Sequence, residues 1–213
     1  MKAIDLTHII TEDMPVYPGT EPPKLTPANS YEKDGFKETL LSLYTHTGTH
    51  IDPPAHIFPY GRTLDEFPPE QFIGKALVID CRGIKAGGAI TLSHIERYGE
   101  KAGKADFLLF NLGWDRLWGT EAYFGDYPCL DDAALGLIIG GYKGIGFDVI
   151  GLDPISDVNL TLHRRLFSSC DIINIENLCN LDKCGDGLFN FACLPLKLRD
   201  CDGSPARAVA WVE

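Results

Sequence analysis

The chain has 213 residues, 45% of them hydrophobic and 23% charged, and a formal net charge of −11. Length and balance fit one folded domain with a sizeable core and exclude a disordered chain. The acidic excess argues against partners such as nucleic-acid phosphates or an anionic membrane surface.

The N-terminus, MKAIDLTHII, soon meets Asp5, Glu12 and Asp13 and lacks the apolar run and cleavage site of a signal peptide. No stretch approaches the roughly 18 apolar residues of a spanning helix, so a cytoplasmic protein is expected. Residues 11–36, rich in Pro, Gly, Thr and charge, read as a long surface loop. KETLLSLYTHTGTHID (37–52) reads as extended, and the proline-broken 57–72 as a loop with a short helical turn. KALVIDCR (75–82) is a short buried-type strand, and TLSHIERYGEKAGK (91–104) a capped helix ending near Gly103. ADFLLFNLGW (105–114) is an apolar strand, 130–141 a helix with a glycine stop, and GIGFDVIGLD (144–153) another buried strand. A helix over 159–169 follows, then strands over 171–178, 189–198 and 206–213. Alternation in the middle, with strands at both ends, predicts a single α/β domain (1–213) with a mixed sheet flanked by helices.

Seven cysteines, at 81, 129, 170, 179, 184, 193 and 201, are spread out with no C-x-x-C pair. They read as reduced small hydrophobes rather than as a zinc site or a disulfide scaffold. Cys179 and Cys184 are the one nearby pair.

Three of the six histidines fall within THTGTHIDPPAH, residues 45–56. On a strand, His46, Gly48, His50 and Asp52 would share one face, with Thr45, Thr47, Thr49 and Ile51 on the other. Gly48, the threonines and Pro53-Pro54 disfavour the helix that would also pair His46 with His50. Two imidazoles and a carboxylate converging on one point are ligands for a divalent cation, zinc first, with manganese or iron(II) alternatives. The two oxygens of Asp52 can bridge two ions. His56, past the Pro-Pro turn, is free to act as an acid or base. An adventitious surface cluster would not account for the shared face or the central glycine.

A two-metal site needs further ligands. His94 sits in a polar helix and reads as solvated; His8 reads as making a structural hydrogen bond. His163, in LTLHRRLF, is a better candidate, and so is Glu176, a carboxylate ending the otherwise apolar DIINIENL. A salt bridge from Glu176 to Arg164 or Arg165 is the competing reading. G-x-S-x-G, H-E-x-x-H and phosphate-loop motifs are absent, which leaves metal-assisted chemistry.

HTGTHIDPPAH resembles the motif H-x-G-T-H-x-D-x-P-x-H of the cyclase family of metal-dependent hydrolases, in the form that its bacterial kynurenine formamidases carry. The resemblance extends over IDLTHIITEDMPVYPG, GFDVIGLDPIS, LHRRLF…NIENL and LPLKLRDCDGSPARAV. It implies a barrel-like mixed sheet and a homodimer or higher homo-oligomer. It further implies one ion on His46, His50 and Asp52, a second on His163, Asp52 and Glu176 bridging both, and His56 as the proton-transfer residue. The implied reaction is hydrolysis of a small-molecule aryl formamide, N-formyl-L-kynurenine, in tryptophan catabolism. Tyr17 stands where these enzymes present a substrate-facing tryptophan, and Pro53 replaces an alanine. Related members open cyclic amides such as isatin, an alternative whose pocket shape residues near Tyr17, Tyr60 and Phe67 would set. In those enzymes an amide can replace the carboxylate at the Glu176 position and leave one ion; Glu176 favours two. A non-catalytic metal-binding protein is the remaining alternative.

Overall fold

A computed structural model describes residues 1–168 and 170–212. In chain order the elements are β1 (Lys2–Asp5), β2 (Lys24–Asn29), α1 (Tyr31–Asp34), β3 (Glu38–Ser42), β4 (His50–Asp52) and β5 (Ile73–Asp80). Next come β6 (Ala89–Ile90), α2 (Leu92–Glu96), α3 (Glu100–Gly103), β7 (Phe107–Asn111), β8 (Cys129–Leu130) and α4 (Asp132–Ile138). The chain finishes with β9 (Gly144–Phe147), α5 (Thr161–Phe167), β10 (Ile173–Glu176), β11 (Phe189–Pro195) and β12 (Ser204–Val212). Ser169 and Glu213, the last residues of the expected helix 159–169 and strand 206–213, lie outside the described residues.

Seven strands close in the order β12-β11-β5-β7-β9-β10-β4, with β4 returning to β12 and β1 added beside β12. The run β5-β7-β9-β10 is parallel and the other pairings are antiparallel. The mixed, barrel-like sheet is therefore as the sequence and its family resemblance imply. Period-two alternation builds two cores from the same strands. Phe107 and Leu109 of β7 face inward with Val78, Ile175, Phe191 and Ala208. Leu108 and Phe110 face outward, where Ile95, Leu135 and Leu166 of the helices cover them. Each such side chain, taken fully out of water, contributes about 1.5–3 kcal/mol. The closed sheet has little room at β9: a Cβ on Gly144 would come within 2.7 Å of Ile173 and 2.9 Å of Phe107.

Four expectations need correction. The loop over 11–36 contains β2 and α1; Ser30 caps that helix by accepting from the Lys33 N–H, and Gly35 closes it at φ 78°. The extended stretch 37–52 is two strands, because the chain turns at residues 45–49 between β3 and β4. The helix over 91–104 breaks in two at Gly99, which has φ 51°. The strand over 144–153 is regular only through Phe147. β2 and β3 pair with each other alone, and every residue of β3 is exposed. Among the described residues no helix is long and apolar enough to cross a membrane.

Candidate metal centre

β4 and β10 pair antiparallel with Asp52 opposite Asn174 and His50 opposite Glu176. Ile51, Ile173 and Ile175 turn into the barrel core. Alternation therefore sends His50, Asp52, Asn174 and Glu176 to the other face, where α5 brings His163. All five of these polar side chains are buried.

His46 reaches the same place from the turn, not from a shared strand face. Gly48 sits in that turn at φ +64°, a conformation that strains residues with a Cβ, and a Cβ there would meet Met14 Cε at 3.2 Å. Its role is thus in the backbone rather than in leaving room between two imidazoles. The turn is locked from β10: the Asn177 amide donates to the Gly48 carbonyl (2.9 Å), and the Thr49 hydroxyl donates to the Asn177 carbonyl (2.5 Å).

Among the described residues the donor atoms form three overlapping groups: the more exposed His46–His56–Asp202, and two triads that share Asp52. His46 Nδ1 is 2.7 Å and His50 Nε2 3.2 Å from Asp52 Oδ1. On the other side, His163 Nε2 is 3.5 Å from Asp52 Oδ2 and 3.3 Å from Glu176 Oε1. Glu176 Oε2 lies 3.5 Å from His50 Nε2. Each carboxylate thus turns one oxygen toward each triad. In His46–His50–Asp52 and in Asp52–His163–Glu176, the candidate ligand atoms lie within 4.8 Å of one another.

The opposite nitrogen of each imidazole is held. His50 Nδ1 donates to the Gly48 carbonyl at 2.7 Å, and His163 Nδ1 donates to Asp153 Oδ2 at 2.5 Å. Asp153 also accepts from the backbone N–H groups of Leu162 and His163, so one carboxylate caps the start of α5 and aims its histidine. His46 Nε2 faces Asp202 Oδ2 at 3.1 Å. An outer acceptor on the far nitrogen is what orients an imidazole ligand.

Charge is concentrated here. Burial pulls the His163 pKa down, but Asp153, Asp52 and Glu176 outweigh it and hold the pKa well above the usual value. His46 is likewise pulled down by burial, yet Asp202 and Asp52 raise it to about 10. Burial pushes the Asp52 carboxyl up; His50 and the other imidazoles outweigh this and lower it well below the usual range. A divalent cation would answer the same carboxylate charge in competition with these protons. The residues fit one: nitrogen and oxygen donors are buried together, and His163 Nε2, buried beside two carboxylates, makes no hydrogen bond among the described residues. This donor set suits zinc, manganese or iron(II).

His56 closes the one-turn 3-10 helix Pro54–His56, set by Pro53 and by Pro54 at its first position. Its ring centroid is 4.1 Å from that of His46 and 5.6 Å from that of His163. It lines a cavity of about 250 Å³ with the triads, Tyr17, Tyr44 and Ile150. Tyr60 and Phe67 do not shape this cavity: Tyr60 is fully exposed, and Phe67 is in the barrel core. The second aromatic wall is Tyr44.

The remaining candidates have other roles. Arg165 pairs with Asp132, and Arg164 bonds the Asn159 carbonyl, so neither engages Glu176. His94 is not merely solvated: its Nδ1 accepts from the Thr91 N–H and caps α2. The His8 ring stacks on Trp118 at 3.8 Å, and its Nε2 is buried without a hydrogen-bond partner. Its backbone N–H donates to Thr49 Oγ1. All seven cysteines are free. Asp153, Asn174, Asn177 and Asp202 escaped the sequence reading. Asn174 alone had a visible signal, as a polar residue two positions before Glu176 on the same strand face. Its amide donates to Asp52 (2.9 Å) and Glu176 (2.8 Å).

Residues 4–154 match the family model described as "Putative cyclase". The chain is 32% identical to a kynurenine formamidase of Bacillus thuringiensis (strain Al Hakam), over 97% of this chain and 95% of that protein. Isatin hydrolase A from Labrenzia aggregata superposes with a TM-score of 0.86 at 25% identity, covering 98% of this chain and 93% of that one. A structure described as a potential metal-dependent hydrolase with cyclase activity superposes at 0.75 and 28% identity, over 98% and 96% of the two chains. The chain belongs to the cyclase family of metal-dependent hydrolases.

Proposed function

We propose that this enzyme hydrolyses an aryl formamide, with N-formyl-L-kynurenine as the substrate and formate and kynurenine as products. The observation that carries the reading is the aim of the imidazoles: each keeps one nitrogen on an outer acceptor and turns the other toward Asp52 and Glu176. In this reading His46, His50 and Asp52 would hold one divalent ion, and Asp52, His163 and Glu176 a second. A bound cation supplies Lewis acidity, lowering the pKa of a water toward ~7 and polarising the formyl carbonyl.

The chain's own groups do the rest. His56 stands at the cavity wall beside His46, within reach of a bound substrate. It takes the proton released as the water oxygen joins the formyl carbon. It returns that proton to the aniline nitrogen as the C–N bond breaks, so nitrogen leaves as a neutral amine. Tyr17 and Tyr44 line the same cavity and are side chains on which an aryl ring can stack.

One observation favours a second reading, opening of an uncharged cyclic amide. Among the described residues, those lining the cavity include no Lys or Arg to pair with the carboxylate of an amino-acid substrate. Steady-state assays on N-formylkynurenine and isatin side by side, with the metal removed and restored, separate the two. Turnover of the formamide that vanishes with chelator and returns with zinc or manganese supports the first reading. Turnover of isatin alone replaces it with the second.

A further inference from the structure

Asp202 lies in the loop between β11 and β12, far in sequence from the histidine motif, yet it bonds one of its imidazoles and faces a second. Its Oδ2 is 3.1 Å from His46 Nε2 and 3.9 Å from His56 Nδ1. Its Oδ1 accepts from the Thr45 hydroxyl at 3.0 Å, which fixes the carboxylate plane. Among the described residues His56 Nδ1 is buried without a hydrogen-bond partner, and Asp202 Oδ2 is a carboxylate oxygen that faces it. The loop is moulded to the ring it serves: a Cβ on Gly203 would fall 2.6 Å from His46 Cε1. Pairing of Ser204 and Pro205 with Ile51 and His50 brings it there.

We infer that Asp202 is a positioning residue that holds the metal-facing His46 and the proton-carrying His56 with a single carboxylate; the inference rests on the function proposed above. A carboxylate on the far nitrogen of an imidazole fixes both its tautomer and its ring plane. On His46 this leaves Nδ1 for the cation beside Asp52 Oδ1. On His56 it places the proton on Nδ1 and leaves Nε2 as the nitrogen that exchanges protons with substrate. The 3.9 Å separation is about 1 Å beyond hydrogen-bond length, and such contacts commonly tighten when substrate binds. Sharing one carboxylate couples the two rings, so the group that carries protons is placed relative to the group that holds the ion.

The test compares the zinc-loaded wild type with Asp202→Asn, which keeps size and removes charge. Zinc affinity comes from competition with a chromogenic chelator and zinc count from saturation. The His56 imidazole nitrogens are read by ¹⁵N NMR, and turnover is measured at saturating zinc. The expected result is a zinc affinity about ten- to a hundredfold weaker, an unchanged zinc count, a shifted His56 Nδ1 signal and a lower kcat with KM little changed. Thr45→Val, which frees Oδ1 alone, should move the same readings the same way by less. Wild-type zinc affinity or an unmoved His56 signal in Asp202→Asn overturns the shared role. Loss of a whole equivalent of zinc overturns it too, by making Asp202 a ligand. If the wild type turns over no amide, the functional reading fails, while the zinc and NMR measurements still decide the role of Asp202.

Discussion

An imidazole gives a cation one nitrogen, so whatever holds the other nitrogen decides whether the first is aimed. Three different acceptors do this for His46, His50 and His163: a loop carboxylate, a turn carbonyl and a helix-capping carboxylate. Asp153→Asn should therefore weaken zinc binding by about ten- to a hundredfold through His163, and cost roughly 1 kcal/mol through the first turn of α5. Chelator competition and denaturant unfolding read the two effects separately. His56 has the opposite signature: His56→Ala should keep the ions and lose about 10²–10⁴-fold in turnover. Metal analysis beside the assay checks this, and loss of an ion in step with activity would make His56 a ligand. HTGTHIDPPAH was readable because its residues are neighbours in sequence. Asp202 was not, since it meets His46 only once β12 has paired with β4; nor was Asp153, because the irregular chain between it and His163 carries no periodicity that would bring the two together.

At the scale of elements, the apolar strands over 75–82, 105–114 and 189–198 were legible because each carries enough hydrophobic side chains to fill two cores by alternation. The turn at 45–49 was not, because its conformation depends on Asn177 reaching across from the end of β10. Another long-range clamp closes β9: Asp148 accepts from the N–H groups of Leu112 and Trp114, each at 2.9 Å, and burial raises its pKa to about 7. The fold thus favours the protonated acid, whereas the unfolded chain releases that proton near 3.8. Between these values the unfolded state binds fewer protons, so the contribution of this group to stability falls as pH rises. Asp148→Asn cannot lose a proton and should gain on the wild type from about pH 4 to about pH 7, by up to about 1.4 kcal/mol per pH unit. Unfolding both metal-free proteins across that range gives the difference directly; a difference that stays flat would show that Asp148 is ionised throughout.

The molecule as a whole is a closed sheet whose inner face is apolar and whose outer face, at the β4–β10 edge, carries buried acids and imidazoles. Strand and helix alternation indicated the mixed sheet, and the resemblance implied its closure. The chain order of the strands around the barrel left no local mark, because closure between β4 and β12 joins segments some 150 residues apart. Like charges packed at one edge cost stability unless a cation joins them, so ions that bind only the folded form should raise its melting temperature. Calorimetry with and without chelator should show a lower Tm in the stripped protein, restored by zinc or manganese. The most direct test of the centre is anomalous diffraction from crystals grown with zinc, collected on both sides of the zinc edge. The arrangement predicts peaks about 2.0–2.2 Å from His50 Nε2, His46 Nδ1 and Asp52 Oδ1, and from His163 Nε2, Asp52 Oδ2 and Glu176. Zinc found only at surface sites, with no peak among these side chains, would contradict it.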